Sequence, residues 1–377
     1  MSHDPDLCHG LASDLSPDGR LLAVGAGAPD ADRPGPLVIW DVVAGTIARR
    51  RTVADGGVGL DGGRLVQWSP SGALLVAATH TNQLTTYDAR SPELAELGRV
   101  ALSFDDGAPG CVLLPGEAEL FTHGEEGVAI VPVRGRHDPS SPDVRWLGLP
   151  EFPFWAIAAF DDLVVGVEPD TVTAYDRTRR AIRYTAPACP GDSDAGCAFS
   201  PDGRTLAIAS NRRIRLLDSA TGKELAAHPG MAARVGSIVW AAGGARLAVS
   251  YDTLPGRAER GAVVVLERAG ALARLPVRPH AHAWLTAPDL RMFAFAPDGA
   301  RGAVSTADGE LVVFELAAGA RELYRVALGD PAEWLGLYWG AGDTLVVASS
   351  LELQFLDATS GARRSRAPLG FRVRRDV

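Results

Sequence analysis

Short apolar runs closed by one acidic residue recur along the whole chain. They read LVIWD (37–41), LTTYD (84–88), TVTAYD (171–176), RIRLLD (213–218), VVVLE (263–267), LVVFE (311–315) and LQFLD (353–357). The closing residues are Asp41, Asp88, Asp176, Asp218, Glu267, Glu315 and Asp357; an eighth run, GVAIVPV, carries Pro132 at that position. Successive members are 47, 44, 44, 42, 49, 48 and 42 residues apart. A second column precedes the first in every unit. It consists of Leu15, Trp68, Leu114, Phe160, Phe199, Trp240, Phe295 and Trp339, each followed by a turn-forming elbow such as SPDG (16–19, 200–203) or APDG (296–299).

Each unit has the internal order of a four-stranded sheet. An apolar strand reaches the elbow, where Pro presets one backbone angle and Gly permits a positive one. A second strand of small apolar residues follows, as in LLAVGAG and TLAIAS. Small residues there suit a sheet covered on both faces. The acid-closed run is the third strand. Turns such as DVVAG, DSATG and DATSG then lead to a charged fourth strand suited to an outer edge. A period of this length predicts an all-β propeller of four-stranded antiparallel blades, with eight blades expected and seven as the alternative.

The segments LSPDGRLLAVGAG…LVIWDVVAG (15–45) and AFSPDGRTLAIASNRRIRLLDSATGKEL (198–225) resemble WD40-like and related bacterial propeller repeats. Only Trp40-Asp41 is a literal Trp-Asp pair, and Cys8-His9-Gly10 reverses the Gly-His order of a regular repeat. The DSATGKEL and DATSGARR turns are also similar to those of quinoprotein and lactonase-type propellers. The expected layout is an N-terminal arm over 1–10, one propeller over 11–368 and a basic tail over 369–377. Each blade is expected to be contiguous, with packing of the last against the first closing the ring. A strand exchange at 7–10 or in the tail would add a hydrogen-bonded clasp.

Composition supports one large core: 377 residues, 46% hydrophobic, with 42 Gly and 26 Pro for many turns. MSHDPDLCHG has neither a basic start nor an apolar stretch, and no run reaches membrane-spanning length. The cytoplasm is the expected compartment, with no membrane partner. The net charge of −9 argues against a nucleic-acid partner. Of 37 basic residues only Lys223 is lysine, which points to a GC-rich bacterial coding bias. Cys8, Cys111, Cys189 and Cys197 match no common zinc spacing and are expected as free structural thiols.

In a propeller the elbows and the third-to-fourth turns share one face, and the remaining connections share the other. The long irregular segments all fall on that second face: 27–36, 51–64, 103–110, 184–196, 252–261 and 276–291. Binding residues concentrate on loops held by rigid scaffolds. The expected partner-binding residues are therefore Asp30, Asp32, Arg33, Asp192, Asp194, Arg257, Arg260, His280, His282 and Trp284, with Trp146 as a further aromatic anchor. This face is expected to lean acidic, and the opposite face and rim basic.

Catalytic motifs are absent from the sequence; there is no GxSxG, HExxH, phosphate loop or dinucleotide fingerprint. The His280-x-His282 pair, with Asp289 nearby, has metal-ligating chemistry, but no third ligand is identifiable. Asp192-Ser193-Asp194 resembles half of a calcium loop but lacks the later bidentate acid. No catalytic residue, metal or cofactor is assigned. The acidic column is read as structural, because a group needed once for chemistry would not appear seven times. The expected function is a protein-binding scaffold, the alternatives being a lactonase- or quinoprotein-type enzyme or a small-ligand or metal sensor.

Overall fold

The computed structural model describes residues 7–27, 35–53, 66–78, 83–101, 111–114, 116–124, 127–147, 156–168, 170–188, 195–231, 233–252, 262–268, 272–274, 293–306, 309–316, 320–329, 334–349, 351–369 and 372–373. These residues form strands and turns, arranged as eight sheets. The first sheet contains Leu7–Leu15, Leu21–Gly27, Gly35–Asp41 and Thr46–Val53 in sequence order, each antiparallel to the last. Blades 2 to 8 repeat that meander over 66–101, 111–146, 156–187, 195–229, 234–274, 293–327 and 334–368. The molecule is an eight-bladed β-propeller.

The elbows fold through the residues that mark them in sequence. In blade 1, the Ser16 hydroxyl donates to Asp18 Oδ1 (2.6 Å) and accepts the N–H of Leu21 (2.8 Å), so one side chain closes the hairpin. Asp18 Oδ1 also accepts the N–H of Arg20 (3.0 Å), and Gly19 supplies a φ of 71°. Ser200 and Asp202 repeat this arrangement in blade 5, at 2.6 Å and 3.0 Å for the two Ser200 contacts.

The core lies between blades. Eight apolar clusters occur among the described residues, and each draws its members from two neighbouring blades. Strand alternation explains why. In blade 1, Leu22, Val24 and Ala26 face blade 8, whereas Ala23 faces blade 2. With both faces covered, the second strands are buried along their length, as in the apolar Leu74–Ala78 and in Thr344–Ser349, whose two hydroxyl residues stand at its ends.

Blades 8 and 1 are joined by several separate contacts. The Tyr338 hydroxyl, 1% exposed, lies 2.6 Å from Ser13 Oγ and donates to the Ser13 carbonyl at 2.8 Å. The N–H of Ala341 donates to the Gly19 carbonyl at 2.8 Å, linking the two elbows directly. Leu7–Cys8 and Arg372–Val373, expected in the arm and the tail, pair in parallel and add a fifth strand to blade 1.

Blade 3 departs from the contiguous plan. After Pro132 the chain crosses to blade 2, where Gly135–His137 pairs in parallel with Glu96–Ala101 and gives that blade a fifth strand. The chain turns back through Asp138, whose carboxylate accepts the N–H and hydroxyl of Ser140 at 2.9 and 2.7 Å. Arg145–Trp146 then supplies the outer strand of blade 3. Gly98 permits the crossing: a β-carbon there would sit against the Val133 carbonyl and 2.9 Å from Arg134 Cα. The eighth unit-closing position thus lacks its acid where the usual third-to-fourth turn is replaced by a strap.

Two outcomes follow. Tyr338→Phe should lower stability by about 1–2 kcal/mol, read as a lower urea midpoint. Tyr184→Phe, whose hydroxyl has no partner among the described residues, should change it much less. Gly98→Val should release the strap, seen as faster amide exchange at 135–137 with the protection of the other blades retained.

Candidate functional site

The acidic column is occupied by structure. Asp41 Oδ1 accepts the N–H groups of Val43 and Ala44 at 3.0 and 2.9 Å, and Asp218 Oδ1 accepts the Thr221 N–H and hydroxyl at 2.9 and 2.6 Å. Asp357 caps its turn likewise through Thr359 and Ser360, and takes Arg364 at 2.6 Å. The two glutamates work differently. Glu315 takes Arg321 at 2.7 Å and Glu267 takes Arg246 at 3.4 Å, both pairs joining strands of one sheet. Arg364 and the Ser360 N–H hold the Asp357 carboxyl well below the usual carboxylate range. The Ser200 hydroxyl and Arg268 do the same for Asp202.

The same face is bridged from blade to blade. Arg268 of blade 6 reaches Asp202 of blade 5 at 2.8 Å, and Glu117 of blade 3 accepts the Ser71 N–H of blade 2 at 2.6 Å. Arg177 of blade 4 and Arg145 of blade 3 share Glu119. The aromatic column makes a second set of bridges. The indole N–H of Trp68 donates to the Asp14 carbonyl (3.0 Å), and that of Trp240 donates to the Ala198 carbonyl (3.1 Å), each crossing to the preceding blade. Trp339 instead donates to Asp343 Oδ1 (3.0 Å) beneath Arg301 of blade 7, whose guanidinium lies 5.0 Å from the indole centroid.

The opposite face carries the unequal connections. Asp252 and Ala262 bracket 253–261, and Arg274 and Phe293 bracket 275–292, so both segments begin and end on that face at blades 6 and 7. Asp30, Asp32, Arg33, Asp192, Asp194, Arg257, Arg260, His280, His282, Trp284 and Asp289 lie outside the described residues. Trp146 is described. It stands in the outer strand of blade 3, half-buried against the blade 2/3 core, with its indole N–H on the Pro139 carbonyl at 3.2 Å. It therefore anchors the strap. No three His, Cys, Asp or Glu side chains come together as a metal site among the described residues. Cys111 and Cys197 are free thiols, and burial raises both, Cys197 to about 12.

The channel wall is uneven. In blades 7 and 8 the described inner-strand residues 293–295 and 336–340 are buried. In blades 4, 5 and 6, residues 156–160, 196–199, 235–236 and 238–240 are partly exposed and none is charged. Among the aromatic members of the second column, Trp68, Phe295 and Trp339 are no more than 9% exposed, while Phe160, Phe199 and Trp240 are open to solvent in part; of the two leucines, Leu114 is buried and Leu15 partly exposed. This exposure has no signature in a single repeat.

No protein-family model matches the chain, and no curated protein matches it by sequence. Solved structures do. The C-terminal WD40 domain of Sif2 superposes with a TM-score of 0.64 at 16% identity, covering 92% of this chain and 95% of that one. Sqt1 from Chaetomium thermophilum gives 0.64 at 16% identity over 91% and 94%. Dihydro-heme d1 dehydrogenase NirN in complex with DHE gives 0.66 at 13% identity over 94% and 74%. The protein has the fold of the WD40-like β-propellers, here with eight blades.

The depressed carboxylates set an acid limit. Their folded pKa values lie below the unfolded ones, so their contribution is complete above the unfolded value of about 3.9 and is lost as pH falls below it. The urea midpoint should drop between about pH 5 and pH 2, and the combined Asp202→Asn and Asp357→Asn variant should show a shallower drop.

Proposed function

We propose that the protein is a non-catalytic scaffold of a bacterial, cytoplasmic multi-protein complex, holding another protein or peptide on its irregular face. The observation that carries this reading is the difference between the two faces. Most described polar groups of the elbow face are engaged in turns and blade-to-blade bridges. The strand ends of the other face are joined by segments of very unequal length, with the longest pair at blade 6. A rigid ring with one variable face is suited to recognition. The segments at blade 6 carry Arg257, Arg260, His280, His282 and Trp284, residue types enriched or adaptable at protein interfaces.

The likeness to Sif2 and Sqt1 supports the scaffold reading, and the likeness to NirN supports the alternative of a propeller enzyme. A channel enzyme needs polar groups converging from several inner strands. The partly exposed inner-strand residues of blades 4 to 6 are uncharged and largely apolar, which favours the scaffold. No helix among the described residues is long and apolar enough to cross a membrane.

Affinity purification from the native host with mass spectrometry tests the proposal. A stoichiometric protein partner is expected, and Arg257→Glu, Arg260→Glu and Trp284→Ala together should reduce its recovery at least tenfold. Retention of the partner by that variant would remove the irregular face as its site. A stoichiometric metal or organic cofactor in place of a protein would favour the enzyme.

A further inference from the structure

We propose a second docking site on the elbow face, at the channel mouth of blades 4 to 6, that takes a basic protein segment carrying a bulky apolar residue. Three neighbouring inner strands end there in Phe160, Phe199 and Trp240, all partly exposed. The Phe160 and Phe199 rings are 6.1 Å apart, and Trp240 is tied to Ala198 by its indole N–H, so the three rings belong to one connected wall. Ile157, Ala158, Ala198, Ile238 and Val239 continue it down the channel, partly exposed and uncharged. Ile157, Phe199, Ile238 and Trp240 pack against the interblade cores, and the three strands leave a partly exposed, contiguous apolar edge, which a partner's apolar side chain can cover. Partly exposed aromatic rings suit contact with an apolar anchor side chain.

The charge of the occupant follows from Asp161 and Asp162, which directly continue Phe160. Elsewhere on this face the elbow acids are engaged: Asp18 by Ser16, Asp202 by Ser200 and Arg268, Asp343 by Trp339 and Arg301, and Glu117 by Ser71. Asp161 and Asp162 contribute their carbonyls to Arg177, but their carboxylates accept no hydrogen bond and join no ion pair among the described residues. Both are exposed; Asp161 takes a φ of 48°, the elbow conformation it shares with Glu117 and Asp343, so the turn itself does not depend on its free carboxylate. The Arg177 guanidinium is directed to Glu119 at 3.2 Å and leaves the two carboxylates available to a cation. A chain of net charge −9 also favours encounter with a basic partner.

Fluorescence anisotropy with labelled KRFLRK, EDFLDE and KRGSRK peptides tests this site on the full chain. KRFLRK should bind saturably and weaken as salt rises. EDFLDE and KRGSRK should each bind at least tenfold more weakly, because one lacks the charge and the other the anchor. Asp161→Asn with Asp162→Asn keeps residue types that tolerate the turn, and should weaken KRFLRK about tenfold. A photoreactive benzoyl group on the peptide's phenylalanine should crosslink within 156–160, 196–199 or 236–240. No saturable binding of KRFLRK up to about 1 mM, equal binding by the double Asn variant, equal binding of EDFLDE or KRGSRK, or crosslinks confined elsewhere would overturn the proposal. The irregular-face variant Arg257→Glu, Arg260→Glu, Trp284→Ala should bind KRFLRK normally, so the two faces fail independently.

Discussion

Packing between blades is the constraint from which the structure follows. Each sheet is apolar on both faces, so a blade alone would leave two large surfaces in water. Every described core cluster belongs to a pair of blades and none to one blade. A row of such units would still expose its two ends, and closing the ring removes both. At seven of the eight interfaces chain continuity brings the neighbours together. At the interface of blades 8 and 1 it cannot, and there Tyr338, Ser13, the Gly19–Ala341 backbone bond and the parallel pair of chain ends join residues remote in sequence.

The polar repeats serve that packing. Ser16 and Asp18 spend their hydrogen-bonding capacity within an elbow, Asp41 and Asp218 within a turn, and Arg268 and Glu117 on the next blade. Saturation of this kind keeps the ring rigid and makes departures informative. Asp161 and Asp162 depart by leaving carboxylates unused, and Phe160, Phe199 and Trp240 depart as the three partly exposed aromatic rings of a column whose other rings, Trp68, Phe295 and Trp339, are buried.

Much of the architecture was legible because propeller repeats are local patterns. Asp41, Asp88, Asp176, Asp218 and Asp357 cap turns, the structural role read from their repetition, and Trp68 and Trp240 bridge blades through their indole N–H groups. Glu267 and Glu315 look like the same column, yet their longer side chains pair with arginines of neighbouring strands. Pro132 signals an irregular unit but not its consequence. A parallel strand on the neighbouring blade depends on the room above Gly98, and no residue near 135–137 encodes that room. Trp146, conspicuous as an unassigned aromatic, proves to hold the strap.

The sequence by itself determined the propeller repeat, with eight blades expected over seven, the strand order within most blades, the elbows and the structural role of the acids. Those features arise from alternation, turn chemistry and short-range hydrogen bonds, all written within about 45 residues. Tertiary structure alone decided which blade received Gly135–His137, how the chain ends met, and which part of the aromatic column faced the channel. Each of those outcomes depends on distances between residues far apart in the chain, and hydrophobic burial, being non-directional, does not specify them locally.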